Sequence, residues 1–357
     1  VEKTKAPGQV KCVVWDLDNT LWDGILIEQD ELQLSQSAVD TIKELDRRGI
    51  LQSIASKNDH DLAMQKLEQY NLAEYFLYPQ INWGTKSQSV SNIAQSLNIG
   101  IDTFAFIDDQ PFEREEVLSC HPEVLCIDSL DIPQIIDMPA FMPRFITDES
   151  VKRRGMYLND IERNKVEQSF EGPADEFLAS LGMVFKIEQA KEVDLKRMEE
   201  LVARTNQLNT TGRIYSYEEL DAFRTCPQHE LLVCSLQDKY GEYGKIGLAL
   251  LALCPGGWTI KAFLMSCRVM SRGVGSIFLN YLINESIEQR QTLYAELIPN
   301  DRNRMMYTTY RFAGFSIYSE DAGVETLHYS SGARQGYPEF VNIEFPASGL
   351  FESVKAS

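Results

Sequence analysis

An apolar run, Val13-Val14-Trp15, stops abruptly at Asp16-Leu17-Asp18-Asn19-Thr20. Two carboxylates two residues apart, at the C-terminal end of a buried parallel strand, can share one Mg²⁺ and still divide the work of phosphoryl transfer. Asp16 would attack phosphorus. Asp18 would protonate the leaving oxygen and then activate water. Alone, the pair reads equally well as a strand ending in a solvated acidic turn, so the rest of the chain decides. Ile50-Leu51-Gln52-Ser53-Ile54-Ala55 is a second strand-like run that delivers Ser56-Lys57-Asn58, polar groups suited to phosphoryl oxygens. Lys86 opens a helical pattern (Ser89, Val90, Ile93, Ala94, Leu97), where an ammonium can neutralise charge between nucleophile and phosphoryl group. Thr103-Phe104-Ala105-Phe106-Ile107 then ends in Asp108-Asp109. Mg²⁺ prefers octahedral oxygen ligation and keeps several waters. Asp16, Asp18 through its backbone carbonyl, and Asp108 therefore make a sufficient metal set, with Asp109 as an alternative ligand.

These residues need a strand-and-helix alternation to place them at one edge. After the first strand the spacing predicts a flap over 21–34 and a helix over 38–48. After the second it predicts a helix over 62–70 and a strand over 75–78. The alternation implies a Rossmann-like doubly wound α/β domain over residues 1–128. Once these elements are counted, neither 18–56 nor 56–86 leaves room for a folded cap. An uncapped site suits a phosphate presented on something large, or a site closed by a second domain. The order of the motifs resembles the haloacid dehalogenase superfamily of aspartyl-phosphate phosphohydrolases. Asp16, Asp18, Ser56, Lys86 and Asp108 match its motif positions. Thr20 matches the motif-one threonine that supports the loop, and it joins Ser56, Lys57 and Asn58 in the expected substrate-binding set.

Composition narrows the class. The chain has 357 residues, enough for two domains, with 44% hydrophobic and 24% charged residues, as in ordinary globular proteins. Its net charge of −19 argues against nucleic acid and anionic membranes as partners. The longest apolar run, near 246–254, is too short to span a bilayer, and the N-terminus lacks the layout of a signal peptide. Seven cysteines without metal-type spacing suggest reduced thiols and a cytoplasmic setting, and the four histidines form no cluster. The chain opens on Val1, so a trimmed product or a piece of a larger synthase is expected.

Residues 129–175 read as a helical linker, with Pro133, Pro139 and Pro143 and a helical pattern over 151–170. A new rhythm fills 176–357. A strand over 183–188 and a helix over 193–205 come first. Strands over 231–236, 246–253 and 258–265 follow, the last two joined by a turn at Pro255-Gly256-Gly257. A helix over 274–288, a strand over 293–298, a helix over 301–312 and a closing strand pair complete it. This order resembles the acyl-CoA N-acetyltransferase (GNAT) fold, so the second half is expected as a GNAT-like α/β domain.

The informative segment there is Ser266-Cys267-Arg268-Val269-Met270-Ser271-Arg272-Gly273-Val274-Gly275. Glycines permit close backbone approach, and amides at the start of a helix can bind phosphate. Gly273 and Gly275 fit the acetyltransferase loop pattern, whereas Met270 stands where a basic or amide residue is usual. Cys267 lies beside Arg268 and near a helix start, features that favour a nucleophilic thiolate, with a buried structural cysteine as the alternative. Arg268, Arg272 and Gly273 are read as substrate-binding. Two polar stretches, 204–213 with Asn206 and Gln207, and 238–244, either line a small polar pocket or lie as surface loops.

DLDNTLWDGIL (16–26), FIDDQPFEREEV (106–117), RTNQLNTTGR (204–213) and SCRVMSRGVG (266–275) together resemble the FkbH-like family of polyketide biosynthesis. The resemblance covers roughly residues 11–345. It implies a glyceryltransferase/phosphatase that takes 1,3-bisphosphoglycerate, loads its glyceryl unit onto the phosphopantetheine thiol of an acyl carrier protein, and removes the remaining phosphate. On that resemblance Asp16 is the phosphoryl nucleophile, Asp18 the acid/base and Cys267 the thiol that receives the glyceryl group, with Mg²⁺ as cofactor. The rival expectation is a capless Mg²⁺-dependent phosphatase on a protein or small phosphoester, with the second half as a docking module.

Overall fold

Val13, Val14 and Trp15 are fully buried in strand β1 (Cys12–Trp15), as a run apolar on both faces requires. Each such side chain contributes roughly 1.5–3 kcal/mol of burial. The one polar atom in this run is matched: Trp15 Nε1 donates to Gln52 Oε1 at 3.1 Å, and Gln52 Nε2 donates to the Ile42 carbonyl at 2.9 Å. The structure is a computed structural model and describes residues 9–28, 32–205 and 208–346. It divides into two units, residues 1–158 and 159–357.

In the first unit, β4 (Leu51–Ser56), β5 (Gln80–Ile81), β6 (Phe104–Asp108) and β7 (Leu125–Asp128) join β1 in a five-stranded sheet of order β5-β4-β1-β6-β7. Every pairing is parallel. The chain starts in the middle, builds outward on one side and then crosses to the other, which is the doubly wound order expected. Such a sheet places its ligand site where the direction of winding reverses, at the C-terminal ends of β1 and β6. Helices α1 (Gln36–Arg47), α2 (His60–Gln69), α3 (Lys86–Leu97) and α4 (Pro111–Cys120) make the crossovers. The expected flap contains a minimal antiparallel ribbon of β2 (Trp22–Asp23) with β3 (Gln33–Leu34). The strand expected over 75–78 does not form. Ala73–Tyr75 is a 3₁₀ turn, Phe76 makes a single bridge to Gln52, and Tyr78 has φ +50° before Pro79. That left-handed residue breaks the extended run, and pairing resumes only at Gln80.

The stretch expected as a linker is shared out. Ile132, Ile135, Ala140 and Phe141 join the first unit's core, and Arg153 anchors to it by donating to the Gly49 carbonyl at 2.5 Å. A short α5 (Asp148–Val151) and a long α6 (Arg153–Ser169) follow, and Val166 of α6 and Phe170 just after it pack on the second unit's core.

The second unit adds α7 (Ala174–Ser180), β8 (Met183–Gln189), α8 (Leu195–Arg204), α9 (Tyr217–Thr225), β9 (His229–Asp238), β10 (Gly241–Cys254) and β11 (Gly257–Met265). It ends with α10 (Gly275–Glu288), β12 (Thr292–Leu297), α11 (Arg304–Phe312), β13 (Phe315–Asp321), β14 (Val324–Tyr329) and β15 (Val341–Glu344). Its sheet order is β13-β14-β12-β11-β10-β9-β8-β15. Alternation on β9 sorts the faces: Leu232, Cys234 and Leu236 meet the layer of α7, α10 and α11, and Leu231 and Val233 meet that of α8 and α9. β11 and β12 run parallel but pair only from Gly257–Ile260 to Thr292–Ala295. Beyond that point residues 208–211 are wedged between them, as described below. The expected fold class, a doubly wound α/β domain followed by a second α/β domain, is the one observed.

Candidate active site

β1 hands Asp16 to the sheet's edge while its backbone is still paired, Asp16 N donating to the Ile107 carbonyl at 2.9 Å. The side chain is buried. Asp16 Oδ1 accepts from Lys86 Nζ at 2.7 Å, and Lys86 also donates to Asp108 Oδ2 at 2.5 Å. Lys86 is the first residue of α3, which Thr85 caps, so the ammonium's reach is fixed by the helix start. Ser56, the last residue of β4, hydrogen-bonds the Asp16 carboxylate. Asp108, the last residue of β6, is fully buried, and its Oδ1 accepts from Gln110 N at 2.8 Å.

Asp18 points elsewhere. After Asp16 the chain turns through Asn19 at φ +55°, and the Leu17 carbonyl gathers the amides of Thr20, Leu21 and Trp22. The Asp18 carboxylate is fixed by Trp22 Nε1 at 2.8 Å, Leu26 N at 3.1 Å and Asn58 Nδ2 at 2.9 Å. It stands in a fixed orientation, as an acid/base must.

Asp16, Asp108 and Asp109 each offer one oxygen, and these atoms lie within 4.8 Å of one another. An octahedral ion with ligands at about 2.1 Å spaces them by about 3–4 Å. Asp109 Oδ1 is buried with no hydrogen-bond partner. Burial drives all three carboxyl groups above the usual range, Asp108 to about 6, and the neighbouring Asp16 charge adds to the shift at Asp108. Burial pulls Lys86 down, yet the charges of Asp16 and Asp108 outweigh it and the ammonium is held above its ordinary value. Three crowded carboxylates with one lysine and an orphaned oxygen fit a divalent cation. The Asp18 carboxylate lies outside this group, so only its backbone carbonyl remains as the expected fourth ligand.

Other expected residues take different roles. Asn58 is buried and positions Asp18. Lys57 donates to Glu113 Oε1 at 2.7 Å. Thr20 is buried with Oγ1 unpartnered. Arg114 was not singled out in the sequence, yet it donates to the Asp108 carbonyl at 2.6 Å and to Asp128 at 2.6 Å, fastening the end of β6. Glu116 accepts from Ser87 N at 3.0 Å and from its hydroxyl, steadying the start of α3 beside Lys86.

In the second unit Cys267 is half-buried and opens a 3₁₀ turn, Cys267–Arg272. The α-helix begins only at Gly275, so Cys267 is not at its N-terminus. Arg268 Nη2 donates to the Tyr243 carbonyl at 2.6 Å. Arg272 is buried, donating to Glu167 at 2.9 Å and Asn164 at 2.9 Å, so it ties this turn to α6 instead of facing a substrate. Gly273 has φ +66°, and a Cβ there would lie 2.9 Å from the Phe340 ring, so its close approach is to protein rather than to a ligand. Asn206 and Gln207 lie outside the described residues. Of their neighbours, residues 208–211 are buried, while Gly212 and Arg213 are exposed. Thr210 N donates to the Phe263 carbonyl at 3.1 Å, and Ile298 N donates to the Thr210 carbonyl at 3.0 Å. This segment thereby fills the gap between β11 and β12, and Asn303 Nδ2 donates to the carbonyls of Asn209, Thr210 and Ile298 at 3.2, 3.1 and 2.9 Å. The 238–244 stretch is the β9–β10 turn, where Asp238 takes the Arg163 guanidinium at 2.7 and 2.8 Å.

The chain is thus a two-domain α/β protein whose first domain carries a buried carboxylate–lysine centre at its sheet switch point. No protein-family model and no curated protein matches it. Among solved structures, the N-terminal part of the protein BF1531 from Bacteroides fragilis contains a phosphatase domain complexed with Mg. It is similar at 28% identity over 36% of this chain and 39% of that one, with a TM-score of 0.33. The chain therefore spans about two fifths of that structure's length. The ribosomal-protein-S18-alanine N-acetyltransferase from Escherichia coli is similar at 14% identity over 43% of this chain and 99% of its own, TM-score 0.33. PaiA N-acetyltransferase from Thermoplasma acidophilum, in complex with coenzyme A, is similar at 14% identity over 41% and 98%, TM-score 0.33. Among the described residues no helix is long and apolar enough to cross a membrane.

Proposed function

We propose that this chain is a Mg²⁺-dependent phosphatase of the aspartyl-phosphate type combined with a glyceryltransferase. In this reading it loads a glyceryl unit from 1,3-bisphosphoglycerate onto the phosphopantetheine thiol of an acyl carrier protein and removes the remaining phosphate. The observation that carries the phosphatase half is Lys86 bridging Asp16 and Asp108, with the Asp109 oxygen left over beside them. Asp16 attacks phosphorus, the ester P–O bond breaks, and Asp18 gives its proton to the departing alkoxide. Asp18 then takes a proton from water as that water attacks the aspartyl phosphate, releasing inorganic phosphate and restoring Asp16. Ser56 and Lys86 hold the nucleophile and offset charge that develops on the phosphoryl oxygens. Asp16, Asp108, Asp109 and the Asp18 carbonyl would hold Mg²⁺, which supplies further neutralisation of that charge.

For the transfer half, the Cys267 thiolate attacks the acyl carbon of the acyl phosphate and expels phosphate. The resulting thioester exchanges with the carrier's thiol, freeing Cys267. Its support is the half-buried position of Cys267 at a strand end beside Arg268 and the motif resemblance. A second reading, a capless phosphatase with the second domain as a docking module, is favoured by the engagement of Arg272 and Gly273 within the protein.

Intact-mass spectrometry of a holo acyl carrier protein with this enzyme, Mg²⁺ and 1,3-bisphosphoglycerate separates the two. A glyceryl mass that Cys267→Ala abolishes, with phosphoglyceryl carrier accumulating in Asp16→Asn, supports the combined activity. Phosphate release that depends on Asp16, with no acyl mass on any carrier, leaves the phosphatase alone.

A further inference from the structure

Among the described residues of the first domain, the buried side-chain atoms with no hydrogen-bond partner are Thr20 Oγ1, Asp109 Oδ1 and Glu113 Oε2. All three follow β1 or β6. Buried polar atoms are normally satisfied, so an unpartnered one on a segment that leaves the site's edge marks a place where something else can supply the partner. Asp109 belongs to the cation group. Glu113 does not, and sequence reading passed over it. It is only 6% exposed, in the first turn of α4, while its neighbour Phe112 is 70% exposed, so the carboxylate is turned inward. Its Oε1 is taken by Lys57, which directly follows Ser56 at the end of β4.

Sheet order fixes what this ion pair crosses. β4 and β6 flank β1, so a bridge from the residue after β4 to the helix after β6 passes over the end of β1, where Asp16 sits. The Lys57–Glu113 pair therefore spans the end of β1, and Glu113 Oε2 is left as a buried acceptor without a partner. Lys57 already balances the Glu113 charge. A neutral donor suits the second oxygen, and an ammonium there would face the Lys57 charge.

We propose that Lys57 and Glu113 form a recognition clasp over Asp16, in which Glu113 Oε2 accepts a hydrogen bond from a hydroxyl on the alcohol side of the phosphoester. This rests on the phosphatase reading and makes Glu113 the residue that selects, among phosphomonoesters, those whose alcohol side carries a further hydroxyl. A substrate lacking the hydroxyl leaves a buried carboxylate oxygen unpaired when the site closes on it, which is the kind of contact that discriminates strongly.

The test uses the full chain with Mg²⁺ and three probes: 3-phosphoglyceryl-pantetheine thioester, its 2-deoxy analogue 3-phosphooxypropionyl-pantetheine, and p-nitrophenyl phosphate. Phosphate release gives kcat/KM for each. The wild-type ratio of the first to the second is expected at about tenfold or more, one hydrogen bond's worth. In Glu113→Met that ratio falls to near one, and in Glu113→Gln, which keeps an acceptor oxygen, it stays between the two. The ratio is independent of how much of a variant folds. A wild-type ratio near one, or a Glu113→Met variant slowed on both thioesters with the ratio intact, overturns the clasp while turnover of p-nitrophenyl phosphate keeps the phosphatase. No turnover of any probe overturns both.

Discussion

Glu230 gives a prediction with a magnitude. It lies at the start of β9, 5% exposed, with Oε1 buried and unpartnered. Burial raises its carboxyl from 4.5 to about 7, against a partial offset from a Gln189 hydrogen bond. A folded value above the unfolded one means the folded state holds the proton more tightly. The stabilisation is complete below pH 4.5 and is lost as pH rises through 7. The full span corresponds to about 3 kcal/mol, at 1.36 kcal/mol per unit. Between pH 5.5 and 8.5 about 2 kcal/mol of that remains to be lost. Glu230→Gln keeps the shape and cannot ionise. Its stability relative to wild type should therefore rise by about 2 kcal/mol over this interval and level off above pH 8. Urea unfolding of the full chain at five pH values measures it, with hydrogen exchange of peptides from β9 and β10 identifying the second domain's transition. A constant offset between the two proteins across the range would refute the reasoning, because a group that is not desolvated has nothing to lose on ionising.

Four further outcomes follow from the site and the wedge. Mg²⁺ should raise the melting temperature of the wild type in a concentration-dependent way, and Asp108→Asn should abolish the shift, read by differential scanning fluorimetry. Lys86→Met should lower kcat for p-nitrophenyl phosphate about 100-fold or more, since it removes the cation bridging Asp16 and Asp108. Asn58→Ala frees one Asp18 oxygen and should lower kcat about tenfold while shifting the pH–rate profile, whereas a purely structural role would leave the profile in place. Asn303→Leu takes one donor from each of three carbonyls, of Asn209, Thr210 and Ile298, and should destabilise the chain by about 2–4 kcal/mol in urea unfolding.

The first domain was legible because its signals are one-dimensional. An apolar run that ends in aspartate is both the strand and its edge; two such runs, a third that ends in Ser56 and a helix that opens on Lys86, in order, mark the sheet edge where Asp16, Ser56, Lys86 and Asp108 meet. What the pattern could not give was who satisfies whom. Lys57 reads as a phosphate ligand until Glu113, 56 residues on, is seen to hold it. Asn58 reads the same way until it is seen on Asp18. Helices α4, α7 and α9 and strand β15 went unread. α4 carries scattered charges rather than a clean stripe, and β15 pairs parallel with β8 from the far end of the chain.

The second domain shows the same limit more sharply. Arg268 and Arg272 look like anion ligands in sequence because a guanidinium beside glycines is how phosphate is often bound. Whether it is available depends on acceptors that local sequence does not reveal. Asn164 and Glu167 lie 108 and 105 residues before Arg272 and take two of its nitrogens, leaving Nε without a partner. The polar run at 204–213 suggests a pocket lining or a surface loop, yet the backbone of residues 208–210 completes the sheet where β11 and β12 part. Polar residue types thus announce a need for partners and not their identity. Among the described residues of the first domain the unpartnered buried atoms are on Asp109, Thr20 and Glu113, all on segments that follow β1 or β6. In the second domain most of the polar groups singled out are already answered from within. The physical case for catalysis therefore rests first on Asp16 and its neighbours, and Cys267 must earn its role by the mass of an acylated carrier.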